Sequence, residues 1–140
     1  TNLERLGDFA ESIARSVMNL PEGTAIDEKI ILASRLEEMY EYALSMLVLS
    51  KEALETENPE LAQQVIAKDN LVDEINRQAV TVIAQYLEKN PKNAIQCLQL
   101  IGIIRKLERF GDHCTNIAEE IIFYLEAKVV KHSKKKYEES

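Results

Sequence analysis

The sequence predicts an all-α fold, an antiparallel three-helix bundle with an extra N-terminal helix, and three observations carry that reading. Apolar residues recur at spacings of three, four and seven along most of the chain. Only four Gly and three Pro interrupt the 140 residues, and each Pro falls where a helix should start or stop. The third observation is a repeat. Leu3-Glu4-Arg5-Leu6-Gly7-Asp8 returns as Leu107-Glu108-Arg109-Phe110-Gly111-Asp112, and segments 3–14 and 107–118 are identical at seven of twelve positions.

Helix one is expected from about Asn2 to Leu20, closed by Pro21-Glu22-Gly23. Thr24 with Asp27 three residues later has the form of a capping box and opens helix two, which extends to about Thr56 with Leu32, Leu36, Met39, Ala43, Leu47 and Leu54 as its stripe. Asn58-Pro59 and Asn90-Pro91 each read as an N-cap followed by proline at the first helical position, opening helices three and four. Helix three carries Leu61, Val65, Val72, Ile75, Ala79, Ile83 and Tyr86. Helix four carries Leu100, Ile104, Leu107, Gly111, Cys114, Ala118, Ile121 and Leu125. Short connections between long helices favour antiparallel packing, so helices two to four form the bundle. Helix one copies part of helix four, which implies that the chain begins partway through a longer protein.

A chain 46% hydrophobic can bury one core. No apolar run approaches the roughly 18 residues of a membrane span, so a soluble domain, peripheral to a membrane at most, is expected. Net charge is −7 and the pI near 4.9, the wrong sign for a nucleic-acid binder. The basic cluster of Lys131, His132 and Lys134 to Lys136 reads as a solvated helix end that suits the negative pole of the macrodipole. Cys97 and Cys114 lie seventeen apart within helical patterning, without a C-x-x-C, and read as buried reduced thiols.

Each copy of the repeated phrase places an acid, three residues and a second acid, so two carboxylates stand one helical turn apart on one face. Glu4 and Asp8 form the first pair and Glu108 and Asp112 the second; Asp69 and Asp73 form a third pair between them. At about 100° per residue, Glu108 and Asp112 lie beside the apolar stripe of helix four. Like charges at this spacing cost a helix a few tenths of a kcal/mol unless a cation lies between them. The alternative is local pairing: Arg5 precedes Asp8, and Arg109 precedes Asp112, by three residues. Glu37 and Glu41 form an acidic pair that belongs to no motif.

The phrase from Leu107 to Tyr124, Leu-Glu-Arg-Phe-Gly-Asp-His-Cys-Thr-Asn-Ile-Ala-Glu-Glu-Ile-Ile-Phe-Tyr, resembles the signature helix of the PhoU family, and the likeness extends to Asp69 and Asp73 and to the ending Glu126 to His132. The resemblance implies two tandem three-helix repeats. Residues 1–20 would then be the last helix of an incomplete first repeat, 24–130 a complete second repeat and 131–140 a basic, polar tail. It also implies a multinuclear iron or zinc cluster, or another divalent metal, on E/D-x-x-x-D motifs. The residues expected to hold it are Asp69, Asp73, Glu108 and Asp112, with Asn116 one turn further as an additional oxygen ligand; Glu4 and Asp8 are weaker candidates, because their partner helices are missing. The implied role is that of a cytoplasmic, non-enzymatic regulator linking a phosphate ABC transporter to a sensor histidine kinase. The alternative origin is the soluble tail of a sodium–phosphate cotransporter.

An enzyme of the di-iron carboxylate class needs Glu-x-x-His on inward helix faces. Phe110 and Val129 occupy the positions three before His113 and His132, so that pattern is missing, as are a Walker A loop and a G-x-S-x-G. His113 points about 100° away from Asp112 and reads as a surface or packing residue rather than a ligand. Gly7 and Gly111, recurring on the stripe, suggest close helix–helix approach. The exposed apolar face of helix one would favour a homodimer formed by exchange of that helix.

Overall fold

A computed structural model of the chain describes Glu4, Arg5, Gly7, Asp8, Glu11, Ser12 and residues 26–138. The expected helix one falls mostly outside the described residues; the six described there are helical and exposed. From residue 28 the chain runs through α1 (Glu28–Ser34), α2 (Leu36–Thr56), α3 (Pro59–Lys89) and α4 (Ala94–Glu138). No strand occurs among the described residues, so the all-α expectation holds.

Local chemistry sets the ends. Asp27 caps α1, its carboxylate accepting from the Lys29 N–H at 3.0 Å, and the Tyr86 hydroxyl donates to the other Asp27 oxygen at 2.9 Å. Thr24, the other half of the expected capping box, lies outside the described residues. Asn58 caps α3 as expected, accepting from the Glu60 N–H at 2.9 Å with Pro59 at the first position. Asn90-Pro91 behaves differently: Pro91–Asn93 form a 3-10 turn, Asn90 makes no side-chain cap, and α4 starts at Ala94.

Helix two is broken where one continuous helix was expected. Arg35 adopts a left-handed conformation, φ 60°, that ends α1 and begins α2. Its guanidinium holds the corner by donating to Glu38 at 2.6 Å and to Gln78 of α3 at 3.3 Å. Of the expected stripe, Met39 and Ala43 are buried and Leu36 and Leu47 pack partly buried against the core, whereas Leu32 and Leu54 are exposed; Met46, Ser50 and Ala53 complete the buried face of α2. The stripes of α3 and α4 stand where the periodicity put them: Val65, Val72, Ile75, Ala79 and Ile83 pack against Leu100, Ile104, Leu107, Cys114, Ala118 and Ile121.

Cross-helix contacts give the directions. Arg35 reaches Gln78 and Lys68 lies over the Tyr42 ring, so α2 and α3 are antiparallel. Asn76 meets Glu108 and Asp69 meets Gly111, so α3 and α4 are antiparallel as well. Met46 lies beside Gly111 and Glu57 pairs with Lys128, which makes α2 parallel to α4. The result is an up-down-up three-helix bundle. At 45 residues against 31, α4 outruns α3, and its last turns carry exposed Phe123, Val129 and Val130.

Burial sets the cost of substitution on α4. Phe110 is 1% exposed and Phe123 is 73% exposed, so Phe110→Ala should cost about 3–5 kcal/mol while Phe123→Ala stays within about 0.5 kcal/mol. Removing the α3 cap with Asn58→Ala should cost about 1 kcal/mol. Urea unfolding of the three variants measures all three effects, and comparable losses at Phe110 and Phe123 would contradict the packing described.

Candidate metal centre

The antiparallel register of α3 and α4 decides which acids meet. Asp69 and Asp73 on α3 face Asp112 on α4, and each of the three offers a ligand oxygen within 4.8 Å of the others. Asp69 and Asp73 are partly buried and Asp112 is exposed, so the group sits at the border of the core. Glu108 faces the same seam, but its carboxylate accepts a 2.7 Å hydrogen bond from the Asn76 amide. Asn116 is exposed, one turn beyond Asp112. Glu4 and Asp8 are exposed and helical.

The electrostatics follow from burial and crowding. Asp69 is pushed up to about 6, first by burial and then by the charges of Asp73, Asp112 and Glu108, with the Thr115 hydroxyl opposing. Thr115 Oγ1 and Asp69 Oδ1 are both buried, and neither completes a hydrogen bond of good geometry. Asp73 is raised by burial and by Asp112, against the pull of Arg77. Glu108 is raised by burial, Asp112 and Asp73, with Arg105 opposing. A group of this kind is stabilised by a proton or by a cation.

The donor set fits a metal on chemical grounds. Three carboxylates converge, one oxygen among them is buried without a partner, and each carboxylate can bridge two ions. An all-oxygen set suits hard cations and iron better than zinc, which prefers His and Cys ligands. Cys114 lies close to Asp69 but is no thiolate donor: burial pushes its thiol up to about 12, with Asp69 adding to the shift and Ser50 opposing it. Both cysteines are free and buried, as expected.

Two residues around the site were not anticipated. Asn76 and Thr115 each lie three residues beyond an acid of the group, Asp73 and Asp112, so extending the same-face spacing by one turn finds both. Gly111 makes the expected close approach, with Asp69 as its neighbour; Gly7 has nothing within 4 Å of a Cβ placed on it.

Comparison with known proteins gives a consistent result. Residues 36–121 match the model of the PhoU domain. A protein of Rhizobium meliloti called a phosphate-specific transport system accessory protein PhoU homolog is 33% identical over 122 residues, covering 87% of this chain and 50% of that protein. Proteins of the same description from Pseudomonas aeruginosa and Deinococcus radiodurans are 30% and 26% identical, covering 94% and 89% of this chain and 53% and 57% of their own lengths. The chain thus spans about half the length of the curated relatives it matches. No solved structure matches it.

The raised Asp69 pKa has a stability consequence with a definite sign. Between about 3.8 and 6 the folded state keeps a proton that the unfolded chain has lost, so raising pH through that window weakens the metal-free fold. Asp69→Asn cannot lose that proton. Its stability relative to wild type should improve as pH rises from 4 to 7.5, by on the order of 1 kcal/mol after allowance for partial exposure. Thermal melts in chelator at both pH values read this directly, and a difference independent of pH would show that Asp69 titrates normally.

Proposed function

The chain belongs to the PhoU family, and from that premise we propose that it forms part of a cytoplasmic regulator of phosphate uptake and phosphate-starvation signalling. The regulator works by binding proteins, standing between the phosphate ABC transporter and a sensor histidine kinase. What carries the reading is the agreement of relatives from several bacteria, each described as an accessory protein of a phosphate-specific transport system. A bundle whose polar groups converge on one acidic seam suits binding rather than bond-making chemistry. No helix among the described residues is long and apolar enough to cross a membrane, which fits an accessory role beside a transporter.

The acidic seam is proposed as the cation site of that regulator, with Asp69, Asp73 and Asp112 as ligands, Glu108 available on release from Asn76, and Asn116 at the rim. A bound multivalent cation would supply charge neutralisation between α3 and α4. The protein's own residues set the conditions: the carboxylates must be deprotonated to bind, so affinity falls as pH drops below about 6, where Asp69 takes its proton. Glu4 and Asp8 carry the same spacing in the other copy of the phrase and would need acids from further helices to complete a site.

Two experiments test the reading at its two levels. Asp73→Asn/Asp112→Asn keeps side-chain size and removes two charges, and should abolish iron or manganese retention on reconstitution at pH 7.5; unchanged metal content would place any site elsewhere. In cells, deletion of the full-length gene should leave phosphate-starvation genes expressed in high phosphate. Normal repression in that strain would end the signalling role and favour the cotransporter-tail origin.

A further inference from the structure

The acidic seam has a feature that the carboxylates alone do not account for. Gly111 is buried in the middle of α4, where glycine is a poor helix former. A Cβ placed there would lie 2.8 Å from Asp69 Oδ1, too close for a carbon and an oxygen that are not bonded. Its other neighbours, Val72 Cγ1 and Met46 Cε, would be at 3.6 and 3.7 Å, which is ordinary van der Waals contact. The missing methyl therefore makes room for one group, a carboxylate, and not for the helix as a whole.

We propose that Gly111 is a positioning residue for the cation site: the notch left by its absent side chain receives the Asp69 carboxylate and holds it in the seam within reach of Asp73 and Asp112. The proposal rests on the reading of the seam as a cation site. It explains why a polar atom as exposed to cost as Asp69 Oδ1 stays buried without a hydrogen-bond partner. A methyl at 111 would force the Asp69 carboxylate to shift from the place it holds, and the convergence of three ligand oxygens within 4.8 Å would be disturbed. Gly102 supplies the control, being a helical glycine on the same helix with nothing within 4 Å of its Cβ position.

A double-mutant cycle on the metal-free protein separates this role from general packing. Gly102→Ala should raise the thermal midpoint, as alanine does in a helix. Gly111→Ala should lower it while Asp69 is present and raise it in the Asp69→Ala background, a reversal of sign. If Gly111→Ala fails to fold alone but folds with Asp69→Ala, the coupling is established in its strongest form. Equal shifts in both backgrounds, or failure to fold in both, would overturn the notch.

Manganese(II) titration at pH 7.5 then reads the positioning itself. Gly111→Ala should bind at least tenfold more weakly than wild type, and Gly102→Ala as wild type does. Equal affinity of wild type and Gly111→Ala overturns the positioning role while leaving the cation site intact. No binding by wild type removes the cation site, and the positioning role with it, whatever the cycle shows about the notch.

Discussion

The feature on which the rest of this structure turns is a set of like charges held at the edge of an apolar seam. Burying a polar atom without a partner costs about 1–3 kcal/mol, and crowding carboxylates adds to that cost. Asp69 bears both, since its Oδ1 has no partner and Asp73, Asp112 and Glu108 all press on it. The seam is flanked by buried apolar side chains of the core. Val72 and Ile75 on α3 and Leu107 and Cys114 on α4 are almost wholly buried, while Arg77, Arg105 and Asn76 moderate the charge from the rim.

The third helix backs the seam from the inner side. Met46 of α2 lies beside Gly111, and Ser50, fully buried, donates to the Met46 carbonyl at 2.7 Å. Ser50 also lies close to the Cys114 thiol, one turn beyond Gly111 on α4. The acids are therefore carried on two packed helices, α3 and α4, backed by α2, rather than on loops, which holds functional groups more closely in place. Changes that loosen α2 at Met46 should reach the carboxylates through Gly111 without touching them.

A site of this construction suits a regulatory protein. The proposed cation site would lie across two helices whose relative position a bound ion would fix, and Asp69, pushed up to about 6 by burial and by neighbouring acids, would tie its occupancy to pH. The exposed apolar and basic end of α4 lies beyond the part of the bundle that supports the site. The acidic seam and the exposed apolar and basic end thus lie apart along one long helix.

Much of this was legible in the chain. The helical period placed the stripes of α3 and α4 residue by residue, because side-chain direction in a helix repeats every 3.6 residues whatever surrounds it. The Asn58-Pro59 cap was readable for the same reason: capping depends on groups within one turn. The repeat and the acid spacing single out Asp69, Asp73, Glu108 and Asp112 from the sequence alone, and of these Asp69, Asp73 and Asp112 converge. Tertiary structure alone decided the rest. The left-handed turn at Arg35 breaks helix two at a residue with no glycine or proline to announce it, stabilised by Gln78, 43 positions away. Leu32 and Leu54 are left exposed, while Met46, Ser50 and Ala53 continue the buried face of α2 that Met39 and Ala43 begin. Which acids converge, that Glu108 turns to Asn76, and that the glycine of the repeated phrase receives a carboxylate from another helix all depend on the register between α3 and α4. Local spacing fixes the face on which a residue stands; only packing fixes what it meets there.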